Sequence, residues 1–548
     1  MVENGYTIAL STGCAYSLFY TVLLASVIRY RLSPSHPLAK YPGPTIMKIT
    51  KIWAAWIAYG GRTHVYMKAL HDKYGPIVRI GPNELSTSEK GFIPQILGSQ
   101  GMPKGPLWDG RRFAQTDAQK LEDYDSVVDV RDSLLHAQLR KPWNQAFSAE
   151  PVKDYELLLM PRIVQILEIL KGTCLHHQDG IGRVNMAKWI SCFAFDFMGD
   201  VAFGGCFELM KEGDKDRCLH NMEAALHLVS ITQHVPWVSK VMRNMPLVNR
   251  AMARFIKFAV EKALARYNME MKRKDLFYHM SEASGDPESE LPIIVSNALL
   301  AIVAGSDTVS FTLSCVLYLL LSNPASYNRL QREVDETFEK CGIPAMDVAE
   351  SMDSFSPQAR YNEVFSSMPY LNAVINEGMR LFPAVPTALQ RAPAKGSGGK
   401  LLKTESLSIF LPEGNAIVVP PYVIHRDPRY FSPSPDSFIP ERWLPSPTPS
   451  SSGGNDSSAT KFETSRDAFI PFSVGQQNCA GRPLAVIEMR YLLAALTRNF
   501  DMEFDREVYN VTQWEDKMED RFTCHAKGTL PVTMKWRGVA AKSGNVVA

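Results

Sequence analysis

Two long apolar stretches dominate the pattern of hydrophobic and polar positions, and the first lies near the N-terminus. Residues 6–28 contain no charged side chain, and 23 residues are enough for a helix to cross a bilayer. Arg29 and Arg31 follow directly, whereas a secretory signal peptide would begin with basic residues and carry a shorter apolar run. Because basic flanks stay on the cytoplasmic side, the pattern predicts a luminal tip and membrane anchor (1–28) followed by a basic, proline-rich hinge (29–45). A helix buried in the core is the alternative.

The second apolar stretch, residues 291–323, has a single ionisable side chain, Asp307. As a helix it would be about 50 Å long. A second membrane span is one interpretation, but the flanks lack a basic cluster and the segment AGSDT (304–308) would place several polar groups in hydrocarbon. We therefore predict the central helix of a soluble domain. Thr308 can hydrogen-bond to a carbonyl one turn back, and Gly305 lets a flat surface approach the backbone. Packing with a structural hydrogen bond explains the motif equally well.

The rest of the chain alternates between helical and short β patterns. The period is mostly helical from about 130 to 340 and again at 482–499, whereas short apolar runs such as AIVV (416–419) indicate small sheets. Residues 446–460 are rich in serine, glycine and proline and are predicted to be a flexible surface insert. The expected fold is mainly α with small β-sheets, in which residues 46–548 form one catalytic domain after the anchor and the hinge.

Composition narrows the classes of partner and of metal site. The 548 residues carry 59 Lys and Arg against 57 Asp and Glu, a net charge of +2, so no strong field indicates nucleic acid as a partner. The nine cysteines form no CxxC pair and no zinc-like spacing. Such a scattered set is typical of reduced thiols rather than of a disulfide framework.

One cysteine is distinguished by its surroundings, PFSVGQQNCAGRP (471–483). Cys479 lies between Gly475 and Gly481, just ahead of a helical run. Gly475 permits a sharp turn whose amides face the sulfur, Gly481 lets the chain enter the helix, and Phe472 can shield one flank. Amides at a helix N-terminus favour the thiolate form. A lone thiolate lacks the partners that zinc and iron–sulfur clusters require, but it fits haem, whose porphyrin supplies four ligands.

A charged cluster is predicted inside the protein. Glu377 and Arg380 lie three residues apart among apolar neighbours, so they share one helix face. Arg442 follows in FIPERW (438–443). A carboxylate between two guanidinium groups can be satisfied by paired hydrogen bonds, and in a dry site it fixes an arrangement more than it adds stability. An exposed ion pair is the alternative.

Taken in this order, AGSDT, Glu377 with Arg380, PERW and FSVGQQNCAGR resemble the motifs of the cytochrome P450 family. The chain is similar to the membrane-anchored, microsomal members, and YPGP and KYGPIVRIGPNELS look like fungal ones. The resemblance implies the P450 fold, haem b (iron protoporphyrin IX) as cofactor, and Cys479 as the axial ligand of the iron. It also implies that Asp307 and Thr308 are the catalytic pair that steers protons. The structural triad of the family corresponds to Glu377, Arg380 and Arg442.

The same resemblance assigns further residues around the haem and the substrate. Residues implied in cofactor binding or in lining the oxygen groove are Phe472, Gly475, Gln477, Gly481, His136, Arg140, Arg391, Ala304 and Gly305. Candidates for the substrate pocket, by position, are Leu300, Val303, Ala304, Val385, Pro386 and Thr387. The basic residues His136, Arg140 and Arg391 are expected to meet the haem propionates. Family members usually carry arginine or histidine where this chain has Gln477, so a charged hydrogen bond worth on the order of 1–2 kcal/mol is lost, and the basic residues are expected to compensate.

The function implied by the resemblance is that of a monooxygenase. It would insert one atom of O2 into a lipophilic small molecule in fungal secondary or xenobiotic metabolism, at the endoplasmic reticulum membrane with the catalytic domain cytoplasmic. No GxGxxG pattern follows a strand, so electrons from NADPH are expected through a separate NADPH–cytochrome P450 reductase, with cytochrome b5 as a further candidate donor. Lys141 and Arg482 are candidates for docking the acidic surface of the reductase, or are plain solvated charges. The alternatives are a haem-thiolate isomerase or dehydratase and a non-enzymatic haem-binding membrane protein.

Overall fold

A computed structural model shows a mainly helical protein with five small sheets among the residues it describes. These residues are 2–111, 126–205, 207–238, 250–269, 274–284, 294, 297, 298, 300–343, 361–445, 462–508 and 513–538. The predicted insert at 446–460 lies outside them. The expected fold class is confirmed.

The α-helices, labelled α1 to α19 in chain order, are Val2–Leu32, Thr45–Ile49, Ile52–Tyr59, Thr63–Tyr74, Ile93–Ile96, Ser133–Ala146, Ala149–His176, Met186–Phe203, Leu209–Glu212, Cys218–Thr232, Arg250–Tyr267, Leu276–Ser284, Thr308–Ser322, Pro324–Cys341, Asn362–Ser366, Pro369–Leu381, Pro421–Ile424, Arg482–Asn499 and Gln513–Asp516. The strands, labelled β1 to β13, are Ile77–Gly81, Glu84–Thr87, Ile181–Asn185, Leu389–Arg391, Gly399–Lys403, Ser408–Pro412, Ala416–Val419, Phe431–Ser432, Glu463–Thr464, Phe500–Phe504, Met518–Arg521, Thr523–Ala526 and Pro531–Trp536. Both α18 and β7 begin and end at the residues that the hydrophobic pattern predicts.

The N-terminal helix α1 has the length and exposure of a membrane anchor. Its segment Gly13–Leu32 is mostly apolar, and none of its residues is buried. The proline-rich segment that follows packs on the domain, because Leu38 is fully buried and the backbone N–H of Arg79 in β1 donates to Pro42 O at 2.7 Å. The Arg79 side chain also donates to Arg31 O at 3.0 Å. The end of the anchor is therefore tied to the first strand.

The four-stranded sheet joins distant parts of the chain. Its order is β1-β2-β7-β4, in which β2 is parallel to β7 and the other two pairs are antiparallel. β4 ends at Arg391, whose backbone pairs with that of Lys104 in an isolated antiparallel bridge. The sheet edge therefore holds two basic residues side by side.

The second apolar stretch forms the centre of the domain. The segment Leu300–Ser322 is 72% buried, and α13 packs against α8, α16 and α18. The AGSDT motif forms a π-helical turn, Val303–Asp307, after which Thr308 Oγ1 donates to Ala304 O at 2.8 Å. Such turns widen a helix locally and are frequent at functional sites. The buried helix with a polar break is thus confirmed, and the interpretation as a second membrane span is not supported.

Gly305 serves a purpose other than the one expected from the sequence. A Cβ at this position would lie 2.1 Å from Sδ of Met198 in α8, far closer than non-bonded atoms approach. The Met198 side chain therefore packs directly on the glycine, and a larger residue at position 305 would have to displace the end of the methionine. The residue also borders the central cavity, and the expectation that it admits a flat ligand stays a prediction.

The predicted charged cluster is buried and complete. The carboxylate of Glu377 accepts from Arg380 Nη2 and Nε, both at 2.8 Å, and from Arg442 Nε at 3.0 Å. Trp443 Nε1 and the backbone N–H of Ile439 also donate to it, both at 2.9 Å. Burial raises the pKa of Glu377, but the two guanidinium groups outweigh burial and bring the pKa below its ordinary value of 4.5. The cluster joins α16 to the segment that leads to the cysteine loop.

Replacing Glu377 by alanine should destabilise the fold by about 3–5 kcal/mol, because two guanidinium groups would remain buried without their counterion. Denaturant unfolding of the full-length protein in detergent measures this free energy. The control is Asp72→Ala, which removes the exposed pair with Lys68 and should change stability by less than about 1 kcal/mol. The carboxylate contributes above its unfolded pKa, and its contribution is lost as the pH falls through the lower folded pKa. Equal effects of the two substitutions would contradict a structural role of the cluster.

Candidate active site

The cysteine loop is held in shape by its backbone. The N–H of Cys479 donates to Phe472 O at 2.9 Å, and α18 begins three residues after the cysteine. Gly475 has a φ of +78°, and a Cβ there would lie 2.2 Å from Leu97 O. This glycine therefore makes the predicted sharp turn, but it packs against the α5 end rather than lining the cavity, and its expected contact with the cofactor is corrected.

The thiol of Cys479 faces a cavity and is polarised by backbone amides. Burial raises the pKa of the thiol, whereas the N–H groups of Gly481 and Arg482 and the charge of Arg140 lower it. Cys479 has exposed surface because it lines the cavity. Its sulfur nevertheless lies deep within the protein. Gly481 also lines this cavity, and its Cβ position is open except for Phe147 at 3.7 Å.

The central cavity separates the cysteine loop from the π-turn. Thr308, Ala304 and Gly305 line it from the helix, and Cys479 lines it from the loop. Its remaining wall is largely apolar, and the described residues that form this wall include Val127, Trp143, Leu300, Val303, Val385, Leu389, Ile470 and Phe522. Glu488 is the acidic side chain among the described lining residues, and burial raises its pKa well above the usual range. The cavity therefore combines a largely apolar wall with a thiol from the loop and a hydroxyl from the helix.

Basic groups collect at one edge of this cavity. Burial and the charge of Arg391 lower the pKa of Lys104 to about 7. Burial together with the charges of Lys104 and Arg140 lowers the pKa of His136 to about 4, and burial lowers the pKa of Arg391 to about 10. Basic groups that burial and neighbouring positive charge bring to lower pKa values form a site that favours an anion.

Two polar side chains link this edge to the cysteine loop. Arg140 donates from Nη1 to Asn478 O at 2.6 Å and from Nη2 to Asn478 Oδ1 at 2.8 Å. Gln477 Oε1 is buried, borders the cavity and has no hydrogen-bond partner in the described part of the chain. Because the oxygen and nitrogen of an amide are assigned from their partners, the other orientation would direct the amide N–H groups into the cavity.

Most of the site residues expected from the sequence meet here. Those that line the central cavity are His136, Arg140, Leu300, Val303, Ala304, Gly305, Thr308, Val385, Arg391, Phe472, Gln477, Cys479 and Gly481.

Three further expected residues do not line this cavity. Asp307 faces a different cavity behind the π-turn. The hydroxyl of Thr387 donates to Asp520 Oδ2 at 2.5 Å, and Pro386 is buried, with its carbonyl accepting from Tyr422 N–H at 3.0 Å. Neither residue is among the described residues that line the central cavity, and their assignment to a substrate pocket stays a prediction.

Other lining residues were missed from the sequence. Lys104, in GMPKGPLW, carries no motif that would indicate a ligand contact, and only its pairing with Arg391 brings it to the cavity. Asn478 stands beside the cysteine and could have been considered on that ground. Phe522 and Thr523 come from the β11–β12 hairpin near the C-terminus, which no sequence signal places above the cysteine.

Comparison with known proteins agrees with this geometry. The family model described as Cytochrome P450 matches residues 42–529. The chain belongs to the cytochrome P450 family. As a member of this family, the protein is a haem-dependent enzyme of the monooxygenase class, an oxidoreductase that incorporates oxygen from O2.

Curated relatives of this P450 come from fungi. Cytochrome P450 monooxygenase FCK2 of Fusarium pseudograminearum is 28% identical over 495 residues, covering 88% of this chain and 80% of the relative. Cytochrome P450 67 of Uromyces fabae is 30% identical over 478 residues, covering 86% and 81%. Tryprostatin B 6-hydroxylase of Aspergillus fumigatus is 25% identical over 510 residues, covering 91% and 81%.

The residues present fit a haem. A single thiol facing a largely apolar cavity matches a cofactor that needs one protein ligand. The basic edge, where burial and neighbouring positive charge lower the pKa values of Lys104 and His136, suits the two carboxylates of protoporphyrin. The unpartnered amide of Gln477 lies at the place where a further polar contact is expected.

Proposed function

We propose that this P450 is a haem-thiolate monooxygenase that hydroxylates lipophilic small molecules in fungal secondary metabolism. The observation that supports this most strongly is the placement of Cys479 and Thr308 in one largely apolar cavity. Electrons come from NADPH through a separate membrane-bound reductase, since members of the matched family in general take electrons from a redox partner.

Haem, when bound, supplies the oxidising chemistry, and the protein supplies position, charge and exclusion of water. Cys479 offers the thiolate that binds the iron and donates electron density. The N–H groups of Gly481 and Arg482 stabilise the negative sulfur. Thr308 places a hydroxyl in the cavity, where it can hold a proton donor near the oxygen side.

Four residues are proposed to hold the propionates, namely Lys104, His136, Arg140 and Arg391. Their charges repel one another within a low-dielectric edge, so two carboxylates would restore the pKa values of Lys104 and His136 towards normal. Gln477, in its flipped orientation, adds a neutral donor in place of the usual charge.

Because Gln477 stands where family members usually carry a charged donor, the remaining contacts to the propionates become more important. Replacing Lys104 by methionine should speed haem loss about tenfold, because a hydrogen bond to a charged group contributes about 1.5–3 kcal/mol and 1.4 kcal/mol corresponds to a factor of ten. Transfer of haem to apomyoglobin measures the rate. Lys141→Met is the matched control, since Lys141 is exposed on the same helix as His136. Identical rates in the two variants would remove Lys104 from the propionate site.

The apolar lining supports a lipophilic substrate of modest size. Leu300, Val303 and Val385 present small or medium hydrocarbon surfaces near the thiol. The name of one relative assigns it the hydroxylation of tryprostatin B. Terpenoids, indole alkaloids, polyketides, fatty acids and xenobiotics all remain within the proposed class.

Exposed aromatic side chains support a membrane location for the domain. Trp53, Trp56 and Tyr59 on α3 are exposed, as is Trp237 just after α10, and α3 packs against α10. Such aromatics are enriched at membrane interfaces. The proposed location is the endoplasmic reticulum membrane, with α1 as a single span and the catalytic domain in the cytoplasm. Lys141 and Arg482 are both exposed near the cysteine loop, where reductase docking is proposed.

The proposed activity is tested with microsomes that contain the full chain and an NADPH–cytochrome P450 reductase. A panel of one terpenoid, one indole alkaloid and one fatty acid is incubated under isotopically labelled O2, and mass spectrometry follows the label. We expect at least one product that carries a single labelled oxygen, depends on NADPH and reductase, and forms in the membrane fraction.

Thr308→Val should divert electrons from product to hydrogen peroxide.

Two results would contradict the proposal. Product that forms without O2 would instead indicate a haem-thiolate isomerase or dehydratase. Haem-loaded protein that consumes no O2 with NADPH and reductase, whatever compound is added, would indicate a haem-binding protein without this activity.

A further inference from the structure

A second cavity lies behind the π-turn, on the side away from Cys479. Its volume is about 390 Å³, and a cavity needs roughly 10–15 Å³ in the same measure to hold one water molecule. Asp307 lines this cavity, whereas its neighbour Thr308 lines the catalytic cavity. Two residues adjacent in sequence therefore face different spaces.

The walls of the second cavity carry ionisable groups from two elements. His220, Glu223 and His227 come from one face of α10, and Glu519 and Lys527 come from the β11–β12 hairpin and its end. Burial raises the pKa of Glu223, and the nearby Asp307 adds to this, although His525 counteracts both. Polar walls of this kind hold water and exchange protons with it.

Asp307 contacts a histidine from the hairpin. Its Oδ1 lies 3.4 Å from Nδ1 of His525, and its Oδ2 is buried without a hydrogen-bond partner among the described residues. Burial raises the pKa of Asp307, and His525 and the Thr523 hydroxyl offset only part of this. The carboxyl can therefore carry a proton at a higher pH than an ordinary aspartate.

The same histidine reaches the catalytic cavity through a hydroxyl. Nε2 of His525 lies 3.2 Å from Oγ1 of Thr523, and Thr523 lines the cavity that contains Cys479. Both residues lie in β12 two positions apart, so they share one face of the strand. The two ring nitrogens thus join a carboxyl on one cavity to a hydroxyl on the other.

The hydroxyl of Thr308 has a different partner. It donates to Ala304 O at 2.8 Å, and no hydrogen bond to Asp307 is present in the described part of the chain. The contacts that lead from Asp307 towards the catalytic cavity reach the Thr523 hydroxyl both directly and by way of His525.

We infer that the second cavity is a proton inlet, and that His525 and Thr523 form a bridge that carries protons from Asp307 into the catalytic cavity. This inference rests on the proposed monooxygenase function, which consumes protons at the oxygen side. Asp307 takes a proton from water and passes it to Nδ1 of His525. Nε2 releases its own proton to Oγ1 of Thr523, whose hydrogen moves into the catalytic cavity. The ring then returns to its first tautomer, so one proton leaves water for each proton delivered, and no electrons move along the bridge.

The test compares His525→Gln, Thr523→Val and Thr523→Ser in the full-length holoenzyme with reductase and NADPH. The probe is the panel compound that takes up labelled oxygen, and the quantity measured is the ratio of product to hydrogen peroxide for each NADPH consumed. His525→Gln and Thr523→Val should lower this ratio several-fold and raise the solvent deuterium isotope effect. Thr523→Ser, which keeps the hydroxyl, should restore both to the values of the unmodified protein.

Matched controls are His177→Gln, at an exposed position after α7, and Thr533→Val, in β13. A second readout needs no turnover: in substrate-free protein labelled with 15N-histidine, the Nδ1 signal of His525 should shift on Asp307→Asn and the Nε2 signal on Thr523→Val. Thermal midpoints confirm that the variants are folded.

The inference is overturned if His525→Gln and Thr523→Val give the same ratio of product to hydrogen peroxide as the controls. It is also overturned if the 15N signals of His525 do not shift on Asp307→Asn or on Thr523→Val. In either case labelled product from the unmodified protein would leave the proposed function standing. The absence of labelled product from the unmodified protein would instead refute the proposed function itself.

Discussion

The placement of a single cysteine sulfur at the edge of a largely apolar cavity is the constraint on which the rest of this structure depends. Burial alone would keep the thiol protonated, and the amides of Gly481 and Arg482 act against burial. Those amides point at the sulfur only if the loop keeps its sharp turn, which needs Gly475 and its close contact with Leu97. A buried helix then supplies another wall of the cavity. Each of these features has a use only if the sulfur binds a ligand in the space between them.

The basic edge follows from the same constraint. A porphyrin ligated through one sulfur would be free to tilt about that bond unless its rim is held as well. Lys104 and Arg391 meet at the sheet edge, and Arg140 binds Asn478 beside the cysteine. The carboxylate of Glu377 joins α16 to the segment that leads to the cysteine loop through five hydrogen bonds. The buried charges therefore determine the relative positions of the chain segments, and the apolar core supplies the stability of the fold.

Much of this arrangement could be predicted from the sequence, because the decisive features are local. The loop around Cys479, the helix that follows it and the pair Glu377 and Arg380 all lie within single short segments. The contribution of Lys104 could not be predicted, because it depends on a backbone bridge across almost three hundred residues. The cavity that the Asp307 side chain faces could not be predicted either, since a π-turn changes which side chains share a face of the helix. Thr387 was assigned to the pocket by its position after α16, yet its hydroxyl is bound to Asp520.

The central claim is that Cys479 binds haem iron as a thiolate. The most direct measurement is the absorption spectrum of the reduced, haem-loaded protein under carbon monoxide, with Cys341→Ala as the control for an exposed thiol elsewhere. The account predicts a strongly red-shifted Soret band in the unmodified protein and in the control, and its loss in Cys479→Ala. Haem-loaded protein that lacks this band, or a band that survives Cys479→Ala, would contradict it.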